Sequence, residues 1–269
     1  MVRASSSPFI SREHSVTGEK LSLLAVFAHP DDESFGPAGT LAKYASEGVQ
    51  VSLAMATREE TPSPIELTRL QPEEVRARDR VCSCRTTGIR RACLLDSRPG
   101  ELIKLEHEFI EAQLVRLIRE IQPQVIVTFG PDGLLASDGD HKIISAAVTA
   151  AFHDAGDASK FEQHYHEGLG AYAPQKLYYC VLPQSLVTRW GVPGLQAVPD
   201  SQVTTVLDVS SYSEAMTKAL YCQRNHMLDS IRWLTEDRRV AWDAEYYMLV
   251  ESRLNKKPRR ERDLFAGLR

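Results

Sequence analysis

The strongest constraint on this chain is the point at which an apolar run ends. Residues Leu21 to Ala28 are long enough for one buried strand and too short to cross a membrane. They stop at His29-Pro30-Asp31-Asp32-Glu33, with no glycine-rich turn in between. In an open α/β sheet, ligands collect beyond the carboxyl ends of the strands, so these side chains belong at the ligand-binding edge. A phosphate-binding turn presents glycines and backbone N–H groups there. This turn presents an imidazole and carboxylates, which are donors for a divalent metal.

The rest of the chain alternates. Pro37 to Glu47 carries Leu41, Tyr44 and Ala45 at helical spacing and stops at Gly48. Val49 to Ala56 reads as a second strand, which places Arg58 at the same sheet edge as His29. Pro72-Glu73-Glu74 opens a helix running to Thr87, and Ala92 to Leu95 reads as a third strand. Leu105 to Ile121 is a helix with Leu105, Phe109, Ala112, Val115 and Ile118 on one face. Val125 to Phe129 is a fourth buried strand, after which Asp138-Gly139-Asp140-His141 opens a helix from Lys142 to Phe152.

Further on, Lys176 to Leu182 and Val203 to Val209 read as strands separated by a proline-rich excursion, 183–202. A long helix begins at Ser211, a cap with Glu214 three residues later. Short strand-to-helix connections argue for βαβ units. The expected fold is therefore α/β and Rossmann-like: a mostly parallel sheet with helices on both faces and extra C-terminal strands and helix. Residues 1–20, which lack the apolar core of a secretion signal, read as a flexible arm, and 21–269 as one domain.

Composition narrows the function classes. A hydrophobic share of 43% supplies a substantial core, and a net charge of −4 gives no electrostatic reason to expect nucleic acid. No stretch approaches the ~20 apolar residues of a membrane span. The five cysteines, at 82, 84, 93, 180 and 222, include no Cys-x-x-Cys pair and read as reduced thiols of a cytoplasmic protein. Lys256, Lys257, Arg259, Arg260 and Arg262 form a basic tail whose plain reading is a solvated one. A homo-oligomer is neither required nor excluded.

Three segments match, in order, the motifs of a known family. His29-Pro30-Asp31-Asp32-Glu33 after the first strand, Glu74-Val75-Arg76-Ala77-Arg78-Asp79, and Asp138-Gly139-Asp140-His141 after the fourth strand resemble the LmbE-like, or PIG-L, family of metal-dependent de-N-acetylases. The resemblance implies a metal held by His29, Asp32 and His141, with zinc favoured and iron(II) served by the same donors. It implies Asp31 as general base and Arg58 as a residue binding a substrate hydroxyl or anionic group. The implied substrate is a small molecule, an amino sugar or amino-sugar conjugate that loses an N-acyl group, in first place N-acetyl. Glu33 is expected to hold the loop by hydrogen bonds, and Asp140 to orient a ligand histidine.

One position departs from the family. Its motif reads Gly-His-x-Asp-His, and Asp138 stands where the earlier histidine would be. That histidine is generally assigned to the oxyanion or the leaving amine. Asp138 is instead expected to accept a bond from an amine or to orient His141. His226 lies in Gln223-Arg224-Asn225-His226, where the family often shows His-x-Ser-Gln, and is a candidate for the lost acid at the substrate site.

Other readings stand beside these. Arg58 can form a surface salt bridge with Glu59 or Glu60, and His226 can be a surface histidine. His164 and His166 alternate as on an extended strand and would share one face, as a solvated pair. For function, the rivals are a metal-dependent amidase acting on a non-sugar, thiol-conjugate or antibiotic-type amide, and a metal-binding homologue impaired by Asp138. A dinucleotide-dependent enzyme lacks its Gly-x-Gly-x-x-Gly after the first strand.

Overall fold

A computed structural model describes residues 20–58, 72–135, 138–223, 243–255 and 260–269. In chain order the elements are β1 (Ser22–Phe27), α1 (Asp32–Phe35), α2 (Ala38–Ser46), β2 (Gln50–Thr57), α3 (Pro72–Thr87), β3 (Arg91–Ser97) and α4 (His107–Ile121). There follow β4 (Val125–Phe129), α5 (Gly139–Asp154), β5 (Lys176–Cys180), α6 (Gln184–Trp190), β6 (Thr205–Asp208), α7 (Ser213–Cys222) and β7 (Ala244–Ser252). The expected α/β architecture is what forms. The strands make one seven-stranded sheet in the order β3-β2-β1-β4-β5-β7-β6. β1 to β5 run parallel, and β7 lies antiparallel between β5 and β6.

Parallel strands covered on both faces are apolar over nearly their whole length, and every residue of β1 and β4 is buried, with Ser22 and Thr128 the polar members. Alternate residues of β1 serve opposite layers. Leu23, Ala25 and Phe27 pack with Leu41 and Tyr44 of α2 and Met216 and Ala219 of α7. Leu24 and Val26 pack with Ile110, Leu114 and Ile118 of α4 and Ile144, Val148 and Phe152 of α5. Each leucine, isoleucine, valine, phenylalanine or methionine among them contributes about 1.5–3 kcal/mol by leaving water. Strand order reverses at β1, since β2 and β3 lie to one side and β4 and β5 to the other. The crevice over the carboxyl ends of β1 and β4 is therefore the topological switch point, where such sheets bind ligands.

Several local expectations are corrected. On α4 the inner face is Ile110, Leu114, Val115, Leu117 and Ile118, while Phe109 is 55% exposed and Ala112 only half-buried. The stripe beginning at Ile110 carries more branched aliphatic surface than the one through Phe109, and it wins the core. α7 starts at Ser213, not Ser211, because Asp208 accepts from the backbone and hydroxyl of Ser210 and makes a tight turn there. The proline-rich excursion contains α6. His164 and His166 lie on a 3-10 turn, Glu162–Glu167, whose threefold repeat sends them apart. His164 is buried beside Arg119, which donates to the carbonyls of Ala155, Asp157, Lys160 and Phe161, and His166 is exposed.

The cysteines differ too. Cys82 of α3 and Cys222 of α7 form a disulfide across 140 residues, while Cys84, Cys93 and Cys180 are free. The expectation of five reduced thiols rested on spacing, and spacing carries no information about two helices meeting from opposite ends of the chain. In the tail, Arg260 and Arg262 are exposed but Glu261 between them is buried, taking Lys176 Nζ at 2.6 Å and the Tyr178 hydroxyl. Leu264 and Phe265 are fully buried in the core, so this end is anchored. Lys256, Lys257, Arg259, His226 and residues 1–19 lie outside the described residues. Among the described residues no helix is long and apolar enough to cross a membrane.

Candidate metal centre

The first half of the site is the turn leaving β1. The N–H groups of Asp31 and Asp32 point back to the His29 carbonyl, at 3.0 and 3.4 Å, so the chain reverses within four residues. Asp32 Oδ2 closes the turn by accepting from the backbone N–H of Ala28 (3.1 Å) and of His29 (2.9 Å). These bonds fix the carboxylate directly over the strand end and leave Oδ1 to face across the crevice.

The second half comes from the segment after β4. Asp138 caps α5, its Oδ1 accepting from the N–H of Asp140 (3.0 Å) and His141 (3.2 Å), and the Ser145 hydroxyl ties the helix to the Phe129 carbonyl. Gly133 sits hard against the first turn of α5. Its φ is +69°, and a Cβ there would stand 2.7 Å from His141 Cβ, so only glycine allows the approach. His141 is thereby delivered into the crevice, its ring centroid 5.2 Å from that of His29.

Donor atoms from both halves converge. His141 Nε2 lies 3.1 Å from Asp32 Oδ1, and His29 Nδ1 lies 3.8 Å from Asp32 Oδ2. One nitrogen or oxygen from each of His29, Asp32 and His141 falls within 4.8 Å of the others. Asp140 takes the far side of His29, its Oδ2 facing Nε2 at 3.4 Å and accepting from Gly100 N–H at 2.6 Å. A carboxylate on the outer nitrogen of an imidazole orients the ring and leaves the inner nitrogen for a metal. Burial opposes protonation of His141, yet the hydrogen bond and charge of Asp32, with Asp138 and Asp31 behind, outweigh it and raise its pKa. The crevice is thus a negative pocket of two imidazoles and carboxylates, a donor set suited to a borderline dication such as zinc or iron(II).

Beneath the turn is a polar bed that sequence reasoning only half anticipated. Glu33, fully buried, accepts from the hydroxyls of Ser34 (2.8 Å) and Ser83 (2.6 Å), with Gln223 Nε2 at 3.4 Å. Burial, with the charge of Asp31 adding, pushes its carboxyl up to about 7 against the hydroxyl bonds. The loop-holding role expected of Glu33 matches this geometry. Nothing in the sequence marks Ser83 and Gln223 as its partners, and both adjoin the cysteines of the disulfide. No local pattern marks residues that meet only because α3 and α7 pack together.

Of the residues singled out from sequence, His29, Asp32, His141, Asp138 and Asp140 are brought together, with Asp31 near enough for its charge to act on His141 and Glu33. Arg58 follows β2 at the same carboxyl edge, exposed, its N–H bonded to the Ser97 carbonyl at 2.7 Å. Its alternative partners Glu59 and Glu60 lie outside the described residues, as does His226.

Comparison with known proteins follows the same outline. Residues 24–152, which run from β1 through α5 and so contain both halves of the centre, match the family model described as PIG-L, GlcNAc-PI de-N-acetylase. The chain is 28% identical to the 1D-myo-inositol 2-acetamido-2-deoxy-alpha-D-glucopyranoside deacetylase of Kineococcus radiotolerans, over 91% of this chain and 82% of that protein. It is also 28% identical to the mycothiol S-conjugate amidase of Streptomyces coelicolor, over 93% of this chain and 98% of that one. Among solved structures, the N,N'-diacetylchitobiose deacetylase of Pyrococcus horikoshii superposes with a TM-score of 0.67 at 18% identity, covering 86% of this chain and 84% of its own, a likeness of fold. With His-Pro-Asp-Asp-Glu and Asp-His placed at the switch point of the sheet, residues 24–152 of this chain match the PIG-L family model across both halves of the centre.

Proposed function

We propose that this protein is a metal-dependent hydrolase that removes an N-acyl group, in first place N-acetyl, from an amino-sugar conjugate. The observation that carries the reading is the convergence of His29, Asp32 and His141 above β1 and β4. These three residues would hold the metal, and zinc is the ion proposed, iron(II) being served by the same donors. A dication there supplies the Lewis acidity that polarises an amide carbonyl and makes a water acidic near neutral pH.

The protein's own groups supply the proton traffic. Asp31, next to ligand Asp32 in the turn, takes a proton from the attacking water and returns it to the departing amine nitrogen, without which the C–N bond does not break. Arg58, at the rim of the same edge, is proposed to hold a hydroxyl or anionic group of the substrate. Asp140 keeps His29 in register, and Glu33 braces the turn from below. A cytoplasmic location stays part of the proposal but no longer draws support from the cysteines, two of which are paired.

A second reading is favoured by one relative, the mycothiol S-conjugate amidase, and makes the scissile bond a different amide of a thiol conjugate. Purified protein incubated with N-acetylglucosaminyl-inositol, other N-acetylglucosamine conjugates and a panel of thiol-conjugate amides, with and without chelator, separates these readings. Chelator-sensitive acetate release from the sugar conjugates is the expected result. Cleavage confined to the thiol-conjugate amides selects the second reading, and bound metal without turnover on any substrate overturns both in favour of an impaired homologue.

A further inference from the structure

Where the family motif has a histidine, this chain places a carboxylate oxygen at a position a metal ligand would take. Asp138 commits Oδ1 to the cap of α5 and turns Oδ2 inward. That oxygen lies 3.6 Å from His29 Nδ1 and 3.5 Å from His141 Nε2. At such separations neither contact is a good N–H···O hydrogen bond, whose donor–acceptor distance is about 2.7–3.2 Å.

The same separations suit two ligands of one ion. On a four-coordinate zinc with bonds of about 2.0–2.2 Å, donors stand about 3.3–3.6 Å apart, the edge of a tetrahedron being about 1.6 times its centre-to-corner length. Both Asp138 distances fall in that window, whereas those of Asp32 to the same two nitrogens, 3.8 and 3.1 Å, straddle it. Asp140 also has a carboxylate oxygen within 4.8 Å of donors of His29 and Asp138, a second group that could hold an ion, but it is turned to the outer side of His29. Its Oδ2 already faces the outer nitrogen of His29 and the Gly100 N–H.

We infer that Asp138, through Oδ2, is a fourth protein ligand of the divalent metal bound by His29, Asp32 and His141. This rests on the metal centre proposed above and gives Asp138 a part other than contacting an amine or orienting His141. Two carboxylates then balance the charge of the dication, and the added oxygen donor moves the preference of the site toward harder ions such as manganese(II) relative to a site with one carboxylate. Four protein donors leave a fifth position for the water that the reaction needs, a coordination number that zinc reaches in hydrolytic sites.

The test uses zinc and cobalt(II) as probes on the full chain. Asp138→Ser keeps a capping hydroxyl for α5 but has no second oxygen to reach the ion, and its melting temperature reports whether the fold is intact. In a crystal structure of the zinc-loaded parent, Asp138 Oδ2 is expected about 2.0–2.2 Å from the ion. Zinc affinity, read by competition with a chromophoric chelator, is expected to fall at least about tenfold in Asp138→Ser. An outer-sphere partner can lose as much, so the distance decides. The visible spectrum of the cobalt(II) form, which reports coordination number, is expected to differ between parent and variant. Zinc on His29, Asp32 and His141 with Asp138 Oδ2 beyond about 3 Å, together with an unchanged cobalt spectrum, overturns the inference and leaves the centre standing. Zinc absent from those three residues overturns both.

Discussion

His29 presents its Nε2 to Asp140 Oδ2 at 3.4 Å, and this contact selects the ring nitrogen that looks into the crevice. Nδ1 is left facing Asp32 and Asp138, and the Gly100 N–H on the same Asp140 oxygen steadies the arrangement from the loop after β3. Asp140→Ala removes the orienting carboxylate without touching a proposed ligand. Zinc affinity should fall about 10–100-fold, as for other outer-sphere partners of metal-bound histidine. Chelator competition measures it, and an affinity equal to that of the parent would remove Asp140 from the account.

Asp31 and Asp32 are neighbours with separate proposed tasks. Asp31→Asn should retain the metal and lose about 10²–10⁴-fold in kcat, the range for a lost general base. Metal content and steady-state rates on the same preparation check both halves. An Asp31→Asn protein as fast as the parent refutes the base assignment.

The Cys82–Cys222 disulfide closes a loop of 140 residues and pins α3 to α7. Cys82→Ser should lower the free energy of unfolding by about 2–5 kcal/mol in non-reducing buffer. Guanidinium denaturation with and without a dithiol reads the effect, and the parent in dithiol should approach the variant. Identical midpoints for all samples would mean the pair is not bonded in solution.

Glu245 supports α2 from β7. Its two oxygens accept from the N–H of Gly39 (2.8 Å) and Thr40 (2.9 Å), and the Tyr247 hydroxyl donates to it as well. Burial nonetheless raises its pKa above the ordinary value of 4.5. A carboxyl with a raised folded pKa binds its proton more tightly when folded, so its stability contribution is present at low pH and lost as pH rises above 4.5. The parent should therefore lose stability relative to Glu245→Gln as pH rises above about 4.5. Urea denaturation across that range tests the sign, and a parent that gains on the variant would contradict it.

How much of this was legible in the sequence depends on whether a residue's neighbours are close in the chain. His29 to Glu33 announce themselves because a strand end and its candidate ligands are contiguous, and His141 because it opens the helix after the next central strand. The parallel half of the sheet follows from the same alternation. Phe109 falls outside the core because two overlapping stripes on α4 both have helical spacing, and the choice between them is made by the sheet underneath. His164 and His166 show the same limit, since alternation reads as a strand until Arg119 and a 3-10 turn separate them. Cys82 with Cys222, and Ser83 and Gln223 with Glu33, depend on the packing of α3 on α7, which no local pattern encodes.

The central claim is that one cation bridges β1 and β4 through His29, Asp32 and His141 and that hydrolysis depends on it. Metal content per chain by mass spectrometry, paired with acetate release from an N-acetylglucosamine conjugate, tests this on the parent and on His141→Ala. The parent should carry one divalent ion and turn over, and His141→Ala should lose both together. A His141→Ala protein that keeps its ion and still releases acetate would contradict the account.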